Sequence, residues 1–414
     1  MNSELKTEID AIVSTLKQEG KVHLAKAIEE NWDKTLLEYS KYINSYSSDL
    51  PMEDIFKIAI SQELDRLGYQ KQESEEIINF IEKNRVLQTG PHISPSGKPR
   101  YFFIDWLASI ALDKNDFFGV AMFSGVPFSN KTRPGRLCSK NEDINLIPSN
   151  MQNELVYRNK IPEKMADVIK SLPEVIQKKL PEIKVGDSYT AWALESSKRI
   201  EGKFLKGKPV FFDFNEVVSN YLKLAIKNSS HPISKILFSK SERDTTINNF
   251  KDMVFFYGNA LKDKHKETEN FFLKDGYLES ASRRIELNAQ NLLKELEEGL
   301  CPGLIVGFFI ISFLNRFRCF GSFAQVEYLP LYRDKFATFD FLKEYKIDEA
   351  PAGALTTGGF KDDTNLHVLD LALIDENTAK ETLAKYENTL FGEAILAIKD
   401  VLLRQNYSMN LVRK

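Results

Sequence analysis

The residues best suited to chemistry gather between Gln88 and Arg136. Thr89-Gly90-Pro91-His92 and Ser94-Pro95-Ser96-Gly97 form one polar loop, closed by the cations Lys98 and Arg100. A second loop runs from Ser124 to Arg136 and holds Ser129, Asn130, Lys131, Thr132 and Arg133. Amides exposed at Gly and Pro turns, hydroxyls and Arg forks are what an oxyanion or phosphate requires. On this reading Thr89, Gly90, Ser94, Ser96, Gly97, Lys98, Lys131, Arg133 and Arg136 bind a cofactor phosphate. Ser124 and Asn130 orient a substrate, and His92 holds a phosphate or moves a proton. The same residues also fit two ordinary surface turns, with His92 bonded to backbone.

Other chemistries lack their signatures. His23, His231, His265 and His367 form no HxxxH or HExxH spacing, and Cys138, Cys301 and Cys319 form no CxxC pair, so no metal site is expected. There is no GxxxxGK[ST], GxGxxG or GxSxG. The nearest Gly-rich loop, Ala352 to Lys361, reads as an anion cradle or as a flexible connector.

The elements around the two loops have a βαβ rhythm. Val86-Leu87-Gln88 reads as a short strand, Tyr101 to Leu112 as a helix, and Phe117 to Phe123 as a strand buried on both faces. Further strands are expected at Pro209 to Phe214, Lys235 to Phe238 and His367 to Leu373. Upstream, Leu5, Ile9, Ile12 and Leu16 recur at helical spacing, as do Ala25, Ile28, Trp32, Leu36, Tyr39 and Ile43. Met52, Ile55, Ala59 and Leu64 end at Gly68, and a fourth helix is expected from Ser74 to Lys83. Two more stripes, Ile247-Phe250-Val254-Tyr257-Leu261 and Leu278-Ala281-Ile285-Leu292-Leu296, read as a helical hairpin of coiled-coil type or as two core helices. The expected fold is therefore a Rossmann-like α/β parallel sheet with an N-terminal helical region and an inserted helical arm. Its parts are residues 1–84 (N-terminal helices), 85–240 (first part of the core), 241–300 (arm) and 301–414 (completion of the core).

Composition narrows the class. The charged N-terminus is no signal peptide, and the apolar stretch from Gly299 to Asn315 is shorter than the roughly 20 residues of a membrane span. A soluble, cytoplasmic protein without a membrane partner is expected. With 56 basic and 59 acidic residues, net charge −3, the chain offers no general field for nucleic acid.

The opening strand ending in Val86-Leu87-Gln88-Thr89-Gly90 resembles the strand-TGQQ-loop of the bacillithiol-biosynthesis cysteine-adding enzymes. The helix from Tyr101 and the strand from Phe117 follow in similar order. Gly321-Ser322-Phe323-Ala324-Gln325-Val326-Glu327-Tyr328 is similar to that family's G-x-x-E-x-x-Y-type segment. Pro91-His92 stands where that family has Gln-Gln, and Ser124-Gly125-Val126-Pro127 where it has an acidic turn. Phe238-Ser239-Lys240-Ser241 resembles the KMSKS loop of class I aminoacyl-tRNA synthetases. The resemblance implies a synthetase-like Rossmann core, ATP or another nucleotide as cofactor, and ligation of an amino acid to an amine. The expected function is a ligase-like enzyme joining an amino acid to a small metabolite. The alternatives are a non-catalytic binding protein of the same architecture and a tRNA-associated protein.

Overall fold

The computed structural model describes residues 2–262, 265–363 and 366–404. Five helices lead in: α1 (Asn2–Gln18), α2 (Val22–Glu29), α3 (Leu36–Asn44), α4 (Asp54–Arg66) and α5 (Lys71–Asn84). Thr35 caps α3 with a reciprocal capping box to Glu38, and Gly68 follows α4 at φ +86°, a conformation that suits glycine.

The central sheet is parallel throughout. It is built from β1 (Val86–Gln88), β2 (Phe117–Met122), β5 (Lys208–Asp213), β11 (Arg318–Gly321) and β12 (Ala354–Leu355), in spatial order β12-β11-β1-β2-β5. Gln88 pairs with Val120 of β2 on one side and Phe320 of β11 on the other. Apolar β2 is buried from Phe118 to Met122, as a strand covered on both faces must be. The chain steps outward from β1 to β2 through α6 (Pro99–Ser109). It reaches β5 after a small hairpin, β3 (Arg136–Cys138) and β4 (Asp143–Asn145), and the helices α7 (Glu163–Ser171), α8 (Glu174–Gln177) and α9 (Tyr189–Ile200). It then returns to the far side of β1 to lay down β11 and β12, joined by α15 (Phe323–Phe336). The order reverses between β1 and β11, and crevices at such a reversal are where open α/β sheets hold ligands.

Between β5 and β11 lie α10 (Phe214–Ala225), α11 (Pro232–Phe238) and α12 (Lys240–Asn249), then a second sheet. That sheet, β6 (Val254–Lys262), β7 (His265–Lys274), β8 (Tyr277–Glu279), β9 (Arg284–Glu286) and β10 (Cys301–Pro302), is antiparallel in order β10-β6-β7-β8-β9. It replaces the expected coiled-coil arm. The first stripe crosses a boundary: Ile247 ends in helix α12, whereas Val254, Tyr257 and Leu261 stand in β6. The second splits between β8, β9 and α13 (Ala289–Glu297). Two expected strands are helices instead. Lys235 to Phe238 belongs to α11, started by His231-Pro232, with proline at the favoured first position. His367 to Leu373 becomes α16 (Val368–Leu373); so short an apolar run carries no period to decide it.

The apolar stretch after Gly299 enters through β10, continues as α14 (Leu304–Phe308) and a π-helical turn over Phe309–Leu314, and is buried along that turn. Helices α17 (Glu376–Ala384), α18 (Phe391–Leu396) and α19 (Lys399–Arg404) close the chain. One hydrophobic core runs from Ile9 in α1 to Leu402 in α19, through both sheets. Among the described residues no helix is long and apolar enough to cross a membrane.

Candidate functional site

A cavity of about 170 Å³ opens at the sheet's reversal point, lined by Gly90, His92, Arg100, Tyr101, Ile104, Ser322, Phe323 and Thr357. Three strand ends meet there, and glycine lets them approach. A Cβ at Gly90 would sit 3.2 Å from Gly321 Cα and 3.0 Å from Ile104 Cδ1. A Cβ at Gly321 would overlap the side chain of Gln325. Gln325 has little room to move, since its Nε2 donates to Thr89 Oγ1 at 2.8 Å and to the Phe320 carbonyl at 3.2 Å. Gln88 fixes the β1 loop from below, donating to the Ile104 carbonyl (2.9 Å) and accepting from the Gly90 amide (2.9 Å). The Ala352–Lys361 loop is packed at the end of β12: the Thr356 amide donates to the Gly321 carbonyl at 3.0 Å, and Thr356 and Thr357 are buried.

Two features of the cavity suit an anion. Thr357 is 2 % exposed, yet its hydroxyl has no hydrogen-bond partner among the described residues. A buried orphan of this kind costs about 1–3 kcal/mol. The first turn of α15 also borders the cavity, and its N-cap, Ser322, makes no side-chain capping bond. A helix N-terminus carries roughly half a positive charge and favours an anion. Arg100 adds a full charge. Its guanidinium lies 5.4 Å from the Tyr101 ring centre, and no carboxylate among the described residues is within ion-pair distance of it.

His92 forms the remaining polar wall. The Thr132 amide donates to Asn130 Oδ1 at 2.9 Å, which fixes the amide's orientation. The Thr132 hydroxyl donates to the same oxygen (2.9 Å), so at 3.2 Å it accepts from His92 Nδ1–H. The lone pair is then on Nε2. Burial first, and the charge of Arg100 second, push the imidazole pKa down to about 4, so it is neutral near pH 7.

Next to this cavity runs an open groove of about 660 Å³, whose polar side includes Lys98, Arg100, Arg133, Lys140 and His367 and the carboxylates Glu142 and Asp143. Its apolar side is Ala397, Ile398 and Val401. Arg100 borders both spaces. Burial, then the neighbouring charges of Arg133, Arg100 and Arg136, hold the Lys98 pKa below its ordinary value. Arg133, in the left-handed region at φ +60°, pairs with Asp143.

The two loops expected to form the site do lie side by side. Phe123 and Ile93 exchange backbone bonds with Pro91 and Phe123 at 2.9 and 3.0 Å, and Lys98 Nζ reaches the Lys131 carbonyl at 3.0 Å. Their side chains divide by role. Gly90 and His92 face the inner cavity, and Lys98 and Arg133 face the groove, with Arg136 close to Lys98. Lys131 is exposed, and its carbonyl holds Lys98. Asn130 serves Thr132. Thr89, Ser94, Ser96 and Gly97 are buried in the loop scaffold; Thr89 bonds Phe320, Ser94 bonds the Ser96 carbonyl, and Ser96 accepts from the Cys138 amide. Ser124 is buried and donates to Asp213 Oδ1 at 2.7 Å. Asp213, at the end of β5, has its pKa raised to about 7 by burial and by nearby Glu63.

Sequence reasoning left Arg100, Ser322 and Thr357 out of the binding set. The last two stand beside Gly321 and in the Gly-rich loop, but nothing in one sequence pairs them with Gly90 across more than two hundred residues. No protein-family model matches the chain, and no curated protein matches it.

Proposed function

We propose that the protein is a ligase-like biosynthetic enzyme that holds the phosphate of a nucleotide or phosphorylated substrate at the reversal-point cavity. It joins an amino acid to a small metabolite there. The amino acid's carboxylate displaces pyrophosphate from ATP to form an acyl adenylate, and the amine of the small metabolite attacks its carbonyl carbon, with AMP as the leaving group. The observation that supports this most is the orphan hydroxyl of Thr357 in a residue that lines one cavity with the α15 N-terminus and Arg100. Arg100, Ser322 and Thr357 would hold the phosphate, and charge developing on it would be stabilised by the same donors. Neutral His92, with its lone pair on Nε2, would take a proton from the attacking amine.

Thermal shift with ATP, AMP and free amino acids tests this reading. ATP or AMP at 100 times its Kd should stabilise the fold by about 2.7 kcal/mol. Thr357→Val separates binding from folding. It removes a buried unpaired hydroxyl at constant shape, so the ligand-free protein should melt at or above the wild-type temperature. Nucleotide affinity should fall about three- to tenfold, the worth of one hydrogen bond. A variant that binds as tightly as wild type would remove Thr357 from the site, and no shift with any nucleotide would end the proposal.

A further inference from the structure

The inner cavity, about 170 Å³, is smaller than the roughly 300–1,000 Å³ typical of small-ligand sites. It has room for one phosphate and little more. The adjoining groove of about 660 Å³ is large enough for the rest of a nucleotide-sized molecule, and Arg100 is a wall of both. The groove's charges are uneven. Lys98, Arg100 and Lys140 have no carboxylate within ion-pair distance among the described residues; of the groove's two carboxylates, Asp143 is taken by Arg133 and Glu142 is exposed on the same lining. Lys98 Nζ spends one donor on the Lys131 carbonyl, leaving two of the three an ammonium carries. The groove thus carries four cations against two carboxylates, and the inner cavity holds Arg100 and the unpaired Thr357 Oγ1. Opposite the cations, Ile398 and Val401 offer an apolar wall, and Val401 is exposed.

We propose that cavity and groove form one bipartite site for an organic diphosphate, with one phosphate at Thr357 and the α15 N-terminus, the second between Lys98 and Lys140, and Arg100 between them. The organic part of the molecule lies along Ile398 and Val401. This rests on the phosphate reading of the inner cavity and extends it: a monophosphate fills one lobe, a diphosphate both.

Calorimetric titration with inorganic phosphate and with ADP distinguishes the two readings. Wild-type protein should bind ADP at least tenfold more tightly than phosphate. Lys98→Ala/Lys140→Ala should weaken ADP tenfold or more and leave phosphate binding at the inner lobe within twofold. Thr357→Val should weaken both probes. Lys140 is exposed, so Lys140→Ala alone carries the test if the double variant melts below wild type. If phosphate and ADP bind wild type equally, or the lysine variants leave ADP affinity unchanged while Thr357→Val lowers it, the bipartite site is wrong and the inner phosphate site stands. If neither probe binds, both fall.

Discussion

At the scale of single residues, buried polar groups divide into those that are satisfied and those that are not. Glu63 is fully buried, but Arg66 grips it with two bonds of 2.6 and 2.8 Å and it accepts the Asp213 amide, so it is a strut. Asp105 and Glu201 are different: both are buried against each other, and each keeps one oxygen without a partner among the described residues. Burial and the neighbouring Glu201 raise Asp105 well above the ordinary carboxylate range, and burial raises Glu201 to about 7. The folded pair therefore retains protons that the unfolded chain releases near pH 4. Its stability contribution is complete in acid and is lost as pH rises towards and through 7. Asp105→Asn/Glu201→Gln keeps the shape and cannot ionise. Urea unfolding at pH 5.5 and 8.5 should show wild type losing on the order of 1–3 kcal/mol more than this variant over that interval. Parallel pH profiles would mean the pair is charged or solvated in the fold.

At the scale of elements, legibility followed the strength of the local period. Helix α4 and strand β2 are readable because the first repeats apolar residues close to the helical period up to Gly68 and the second is apolar on both faces. The second sheet was misread because Ile247, Phe250 and Val254 keep helical spacing across the junction of α12 and β6. The better signal was a turn. Asp275-Gly276 joins β7 to β8 in a two-residue hairpin, Gly276 sits at φ +76°, and Glu269, Phe271 and Leu273 alternate inward before it. Nothing lies within 4 Å of a Cβ placed on Gly276, so only backbone conformation opposes a side chain there. Gly276→Ala should cost about 1–2 kcal/mol, and Gly276→Asn less, because asparagine tolerates the left-handed region. Chemical denaturation of the three proteins measures the order; an alanine variant as stable as wild type would mean the turn is not held in this conformation. Of the candidate site, only the local part can be read from one sequence. The β1 and β2 loops were visible as polar punctuation, but Ser322 and Thr357 join them only through the order in which the sheet is assembled.

At the scale of the whole molecule, the N-terminal helices are part of the structure that holds the site. Tyr39 donates its hydroxyl to the Leu355 carbonyl at 2.7 Å, directly before Thr356 and Thr357, and stacks on Phe391 with ring centres 4.2 Å apart. The Leu36 amide donates to the Thr389 carbonyl at 2.8 Å, and Glu327 of α15 accepts the Leu24 amide at 2.5 Å. Thus α2 and α3 brace both elements that supply the cavity's far wall, β12 and α15. Ile9, Leu16, Leu24, Ile28, Leu36, Tyr39, Phe56, Ile60 and Leu64 are all buried in the common core. Each large apolar side chain is worth roughly 1.5–3 kcal/mol on burial, whereas a whole protein keeps only about 5–15 kcal/mol. Removing residues 1–84 therefore exposes more apolar surface than the remaining fold can offset. The 85–414 fragment should be insoluble, or compact and molten, with retained far-UV but lost near-UV circular dichroism and strong dye binding. Co-expressing residues 1–84 as a separate chain should restore a cooperative melt, because the interface is made of packed side chains rather than of the covalent link at Arg85. A fragment that melts cooperatively at the wild-type temperature without its N-terminal helices would show that the sheet is self-sufficient, and β12 and α15 would then need another account of what positions Thr357 and Ser322.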